Sequence, residues 1–82
     1  MKNVDNYIKK EKILMDLEYR FIEDLVDLRK NNHLTQQELA NRANLIRETI
    51  ARIESKMTSP QINTIIKILE PLGYTISIKK SR

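Results

Sequence analysis

From Val4 to Leu28 the chain has no glycine or proline, and Leu14, Leu17, Phe21, Leu25 and Leu28 return at three- and four-residue steps. Ile22 and Val26 widen that stripe, which predicts an amphipathic helix. Tyr7, Ile8 and Ile13 continue an apolar face towards the N-terminus. The spacing fits one helix of about 25 residues, or two with a joint near residues 12–16. The second half is expected in the core. The first half exceeds what a small core needs, and Tyr7, Ile8 and Ile13 are read either as internal packing or as a partner surface. Arg29 and Lys30 suit the negative end of the helix dipole. The helix is expected to stop at Asn31-Asn32-His33, where Asn or His can supply a left-handed cap.

Thr35-Gln36-Gln37-Glu38 has the form of a capping box and predicts a helix from Gln36. Leu39, Ala40 and Ala43 give it a narrow apolar face, with Ala40 small enough for a close helix neighbour. Asn44 tolerates the left-handed conformation that would end this helix after about eight residues. Leu45 follows as a buried plug, and from Ile46 the spacing restarts with Ile50 and Ile53 inward. After a loop at Ser55–Ser59, Pro60 is expected to open another helix with Ile62, Ile65, Ile66 and Leu69 buried. Pro71 should kink or end it, and Gly73 fits the position after its C-terminus. Tyr74, Ile76 and Ile78 then alternate with Thr75, Ser77 and Lys79, the pattern of a strand. The chain offers that strand no second strand. Pairing across a two-fold axis, or with another protein's sheet, is therefore expected at Tyr74, Ile76 and Ile78.

Composition narrows the class. Eighty-two residues are read as a single domain spanning 1–82, and an aromatic content of 5% is low for a sandwich or barrel, which leaves an all-α chain. The absence of cysteine removes any disulfide frame or thiolate metal site. His33 alone makes no metal site and is read as a turn residue. No apolar run reaches membrane-spanning length and no leader pattern is present, so a cytoplasmic protein is expected. The net charge of +4 is unevenly spread: residues 1–27 hold seven acids and five bases, residues 28–82 four acids and ten bases. An acidic first third ahead of a basic remainder suggests partners of opposite sign.

Two short helices joined by a tight turn form a helix-turn-helix, whose second helix enters the DNA major groove. With Ile50 and Ile53 inward, Arg47, Glu48, Ala51 and Arg52 face outward. An Arg fork matches guanine O6 and N7, a carboxylate accepts from cytosine N4, and Ala leaves room for a thymine methyl. Lys56, in the following loop, is weighed as a DNA contact against a solvated loop charge. Asp24 and Asp27 are an ordinary wet-face pair, and no nucleophile–base set, metal spacing or phosphate loop marks an enzyme.

Through "LTQQELA", "TIARIE", "SP" and "LGY", residues 22–73 resemble the Cro/C1-type (XRE) helix-turn-helix family of repressors. The expected architecture is an all-α, five-helix, bundle-like domain of this type, with a helical extension at 1–18, a DNA-binding core at 19–73, and a short C-terminal β-strand and tail at 74–82. It also implies that Gln36 contacts DNA near the backbone, and that Arg47, Glu48 and Arg52 read bases. The sequence departs from the family pattern at three positions. His33 and Asn44 stand where glycine is usual, and Ile46 stands where a Ser or Thr cap is usual.

The wider layout, from "YIKKEKILMDLEYRFIEDLVDLRK" to "GYTISIK", is similar to HigA-like antitoxins of type II toxin–antitoxin modules. That resemblance implies a homodimer that represses its own operon from double-stranded operator DNA and neutralises a RelE/HigB-like ribonuclease toxin. The N-terminal face with Tyr7, Ile8, Glu11 and Ile13 is then a candidate toxin contact. No cofactor, metal or small-molecule substrate is implied. The competing readings are a stand-alone repressor and a protein-interaction module that has lost DNA binding.

Overall fold

The computed structural model describes residues 4–81, with side chains described from Ile8 onward. Its elements in chain order are α1 (Val4–Asn31), α2 (Gln36–Ala43), α3 (Arg47–Glu54), α4 (Ile62–Leu69) and a 3-10 turn, η1 (Glu70–Leu72). Among the described residues there are thus four α-helices rather than five, and no strand.

α1 is one helix without a joint, as its lack of breakers allows. At 1.5 Å per residue its 28 residues run about 42 Å, most of the molecule's 50 Å long axis. Its C-terminal half carries Ile22, Leu25 and the partly buried Leu28 into the core. There they meet Leu34, Leu39, Ala40, Ile50, Ile53, Ile65, Ile68 and Leu69. The N-terminal half projects beyond that core. Leu14 and Leu17 are 59% and 52% exposed and Phe21 40%, so the apolar stripe continues past the packed region. Helical period reports which residues share a face; how far α2–α4 reach along that face is a tertiary property.

The same helix-ending device recurs four times. At His33 (φ 59°), the amide of Leu34 donates to the Arg29 carbonyl and that of His33 to Lys30. At Asn44 (φ 58°), Leu45 donates to Ala40 and Asn44 to Asn41. At Lys56 (φ 63°), Met57 donates to Arg52 and Lys56 to Ile53. At Gly73 (φ 84°), Tyr74 donates to Leu69 and Gly73 to Glu70. Each is the paired 6→1 and 5→2 bonding of a Schellman motif, which satisfies carbonyls left over at a helix end. His33, Asn44 and Gly73 were legible as such positions; Lys56 was not, because lysine has no special affinity for positive φ.

Three further expectations are corrected. α4 begins at Ile62 behind an extended Gln61, with Pro60 outside the helix. Its buried side is Ile65, Ile68 and Leu69; Ile62 and Ile66 are 71% and 39% exposed. Packing against the core turns Ile68 inward in place of Ile62 and Ile66. Residues 74–81 form no β-ladder, because a strand needs a hydrogen-bonding partner and this chain supplies none. Tyr74, Ile76 and Ile78 are all exposed there.

Candidate nucleic-acid interface

α2 begins where Thr35 places its hydroxyl on the Glu38 amide (3.0 Å) and its own amide on Glu38 Oε1 (2.8 Å). This reciprocal capping box fixes the first turn. The Thr35 amide, and then its hydroxyl, holds the Glu38 carboxyl below its ordinary value of 4.5, with Arg42 adding to the effect against slight desolvation. Leu39, Ala40 and Ala43 pack inward, and the wholly buried Ala40 admits close approach.

The Asn44 turn then redirects the chain into α3. Ile46 stands at its N-cap with extended backbone and no side-chain cap bond, and it is 65% exposed. Ile50 and Ile53 anchor α3 in the core. Arg47, Glu48 and Arg52 are exposed and Ala51 is half-buried, on the side away from those anchors. Among the described residues Arg52 enters no ion pair.

Behind this surface lies a polar network whose cooperation the sequence did not disclose. Arg29 is 8% exposed. Its Nε and Nη2 donate to the two carboxylate oxygens of Glu54 at 2.7 and 2.9 Å, a bidentate pair. Its Nη1 donates to the Leu34 carbonyl at 2.7 Å, closing the α1–α2 turn. Gln36 Nε2 donates to Glu54 Oε1 at 3.0 Å, and Gln36 Oε1 accepts from Arg47 Nη1 at 3.0 Å. A continuous chain of bonds therefore runs Arg29–Glu54–Gln36–Arg47 through α1, α3, α2 and back to α3. A signal for it existed. Arg29 falls on the stripe of Ile22 and Leu25, and Glu54 falls one turn after Ile50; a charge on an apolar face calls for a buried partner. Reading Arg29 only as a helix-dipole residue missed this.

Lys56 is directed towards α1. Its Nζ lies 3.0 Å from Glu23 Oε2 and 5.5 Å above the centre of the Tyr19 ring. It thus braces the loop after α3 against α1. Ile8 and Ile13 are more than half exposed and Glu11 is exposed, all on the projecting half of α1. The Tyr7 side chain lies outside the described residues. Among the described residues, no helix is long and apolar enough to cross a membrane.

The capped α2, the Schellman turn and the outward face of α3 define a helix-turn-helix unit. Residues 25–79 match the helix-turn-helix family model, and the chain belongs to that family, in agreement with the Cro/C1-type resemblance of its motifs. It is 36% identical over 63 residues to an uncharacterised HTH-type transcriptional regulator of Haemophilus influenzae, a match covering 77% of this chain and 64% of that protein. It is also similar to a solved chain of a toxin–antitoxin module from Streptococcus pneumoniae. There the TM-score is 0.71 with 28% identity, over 90% of this chain and 81% of that one.

Proposed function

We propose that this chain is a DNA-binding antitoxin that represses its own operon as a dimer and neutralises a RelE/HigB-like ribonuclease toxin. The observation that carries the DNA-binding part is the exposed face of α3. It bears Arg47, Glu48, Ala51 and Arg52 and rests on a frame fixed by a capping box and a Schellman turn. In this reading α3 enters the major groove, Arg47 and Arg52 fork onto guanines, and Glu48 accepts from cytosine. Gln36, at the start of α2, meets a phosphate, and Lys56 adds a backbone contact if it leaves Glu23. The antitoxin part is supported by the likeness to a chain of a toxin–antitoxin module, which extends over most of this chain. The exposed Ile8 and Ile13, with Glu11, are the toxin-facing positions; Tyr74, Ile76 and Ile78 supply apolar positions for the dimer contact.

A gel-shift on the DNA upstream of the protein's own gene, at two salt concentrations, tests the first part. Binding should weaken steeply with salt, and Arg47→Ala should cost about 1–3 kcal/mol on the specific site. Absent or salt-insensitive binding would instead favour an interaction module, a reading to which the uncapped Ile46 and acidic Glu48 lend some support. Co-expression with the adjacent gene tests the second part. A small basic ribonuclease should co-purify; failure to do so would leave a stand-alone repressor.

A further inference from the structure

We infer that the groove between α1 and the loop after α3 is an anchor site for one lysine or arginine side chain of the toxin, whose charged end donates to the Glu18 carboxylate. The inference rests on the toxin-binding reading above and deepens it.

The groove has a volume of about 200 Å³ and is lined by Met15, Glu18, Tyr19 and Ile22 of α1 and by Lys56 and Met57 of the loop. Small-molecule sites begin at roughly 300 Å³, so this space suits a single side chain. Two of the chain's three methionines meet here, and both are exposed. Thioethers on flexible stems conform to an alkyl chain, and Tyr19 adds a ring. Apolar walls alone would fit any aliphatic side chain; Glu18 narrows the choice. It is half-buried, and among the described residues it enters no ion pair. A carboxylate so placed is stabilised most by a cation that brings its own apolar stem, as Lys and Arg do. The neighbouring Lys56 does not supply that cation, because its Nζ is matched by Glu23 at 3.0 Å and lies over the Tyr19 ring.

Two features point to the toxin as its source. Ile8, Met15, Tyr19 and Ile22 recur at seven-, four- and three-residue steps, so one stripe carries the groove along α1 to Ile8. Glu11 and Glu18, seven residues apart, run beside that stripe. The groove is thus continuous with the toxin-facing positions Ile8 and Glu11. A ribonuclease, for its part, grips an RNA backbone with Lys and Arg, the side chains this carboxylate row accepts.

The basic protein encoded beside this gene is co-expressed, purified and titrated against the full chain. Glu18→Lys should weaken binding about thirtyfold and Glu18→Gln about fivefold. Operator binding by Glu18→Gln should stay within about twofold of wild type. Replacing the partner's Lys and Arg residues by Ala one at a time should find one whose loss couples to Glu18→Ala by more than about fivefold in a double-mutant cycle. Additive losses at every position would overturn the inference. The methyl 13C signals of Met15 and Met57 should shift on binding, and return towards their free positions when that one partner cation is removed; unmoved signals with the partner bound would overturn it too. A Glu18→Lys effect on self-association alone would assign the groove to the basic Lys79-Lys80 end of a second copy and overturn the toxin assignment. If the partner binds but Glu18→Lys leaves its affinity unchanged, the inference fails and the antitoxin reading stands. If the adjacent gene's product does not bind at all, both fail.

Discussion

Arg29 shows how much one side chain can decide. It joins α1 to the carboxylate at the end of α3 and to the carbonyl of Leu34, and side-chain exposures of 10% and 11% keep water from Arg29 and Glu54. Removing one member strands the other's charge in a dry place. Arg29→Ala should therefore lower unfolding stability by about 3–5 kcal/mol in urea titration. A loss below 1 kcal/mol would mean that Glu54 reaches solvent on its own. Glu38 makes a prediction of a different kind, in pH. Its folded carboxyl titrates below 4.5, so in acid the unfolded chain binds the extra proton and stability rises with pH. The contribution is present above the unfolded value and is lost as pH falls through the folded one. Glu38→Gln, which keeps an acceptor for the Thr35 amide, should make the acid limb of the stability–pH curve shallower than in wild type. Identical limbs would mean that the capping bond carries no proton linkage.

At the scale of elements, α2 and α3 make a contrast of ends. α2 starts with a complete capping box and α3 with none. Since Ile46 is mostly exposed, replacing it forfeits little burial, and Ile46→Ser should stabilise the chain by about 0.5–1 kcal/mol in thermal or urea unfolding. Asn44→Gly should add up to about 1 kcal/mol by relieving a left-handed backbone at a non-glycine residue. These elements were the most legible part of the sequence, because a capping box and an αL-tolerant residue act within a few positions of themselves. α4 was less so. Its four isoleucines allow more than one inward face, and only packing against the rest of the core selects Ile65 and Ile68. The outward face of α3 was inferable from Ile50 and Ile53 alone, whereas the network behind it joins residues 29, 36, 47 and 54, which no local spacing connects.

The whole molecule divides along α1. From Ile22 onward the helix is a core wall; before that it is a rod whose apolar residues face outward, and Lys56 braces the junction of the two at Tyr19 and Glu23. An isolated helical arm gains little from propensity alone, since nucleation is costly and most helical stability comes from packing. Its opening should therefore be local rather than global. Amide hydrogen exchange should show weak protection across residues 8–17 and protection near the global value at Ile22, Leu39, Ile50 and Ile53, the residues that bury the core. Lys56→Ala should extend the weakly protected stretch towards Glu23 and leave the amides of α2 unaffected. Uniform protection along α1 in the isolated chain would mean that a second molecule already covers the arm, and dilution should then lower it. If protection of the arm rises only on adding a partner, its outward residues become ordered at the moment of binding, and the affinity for that partner carries the cost of ordering them.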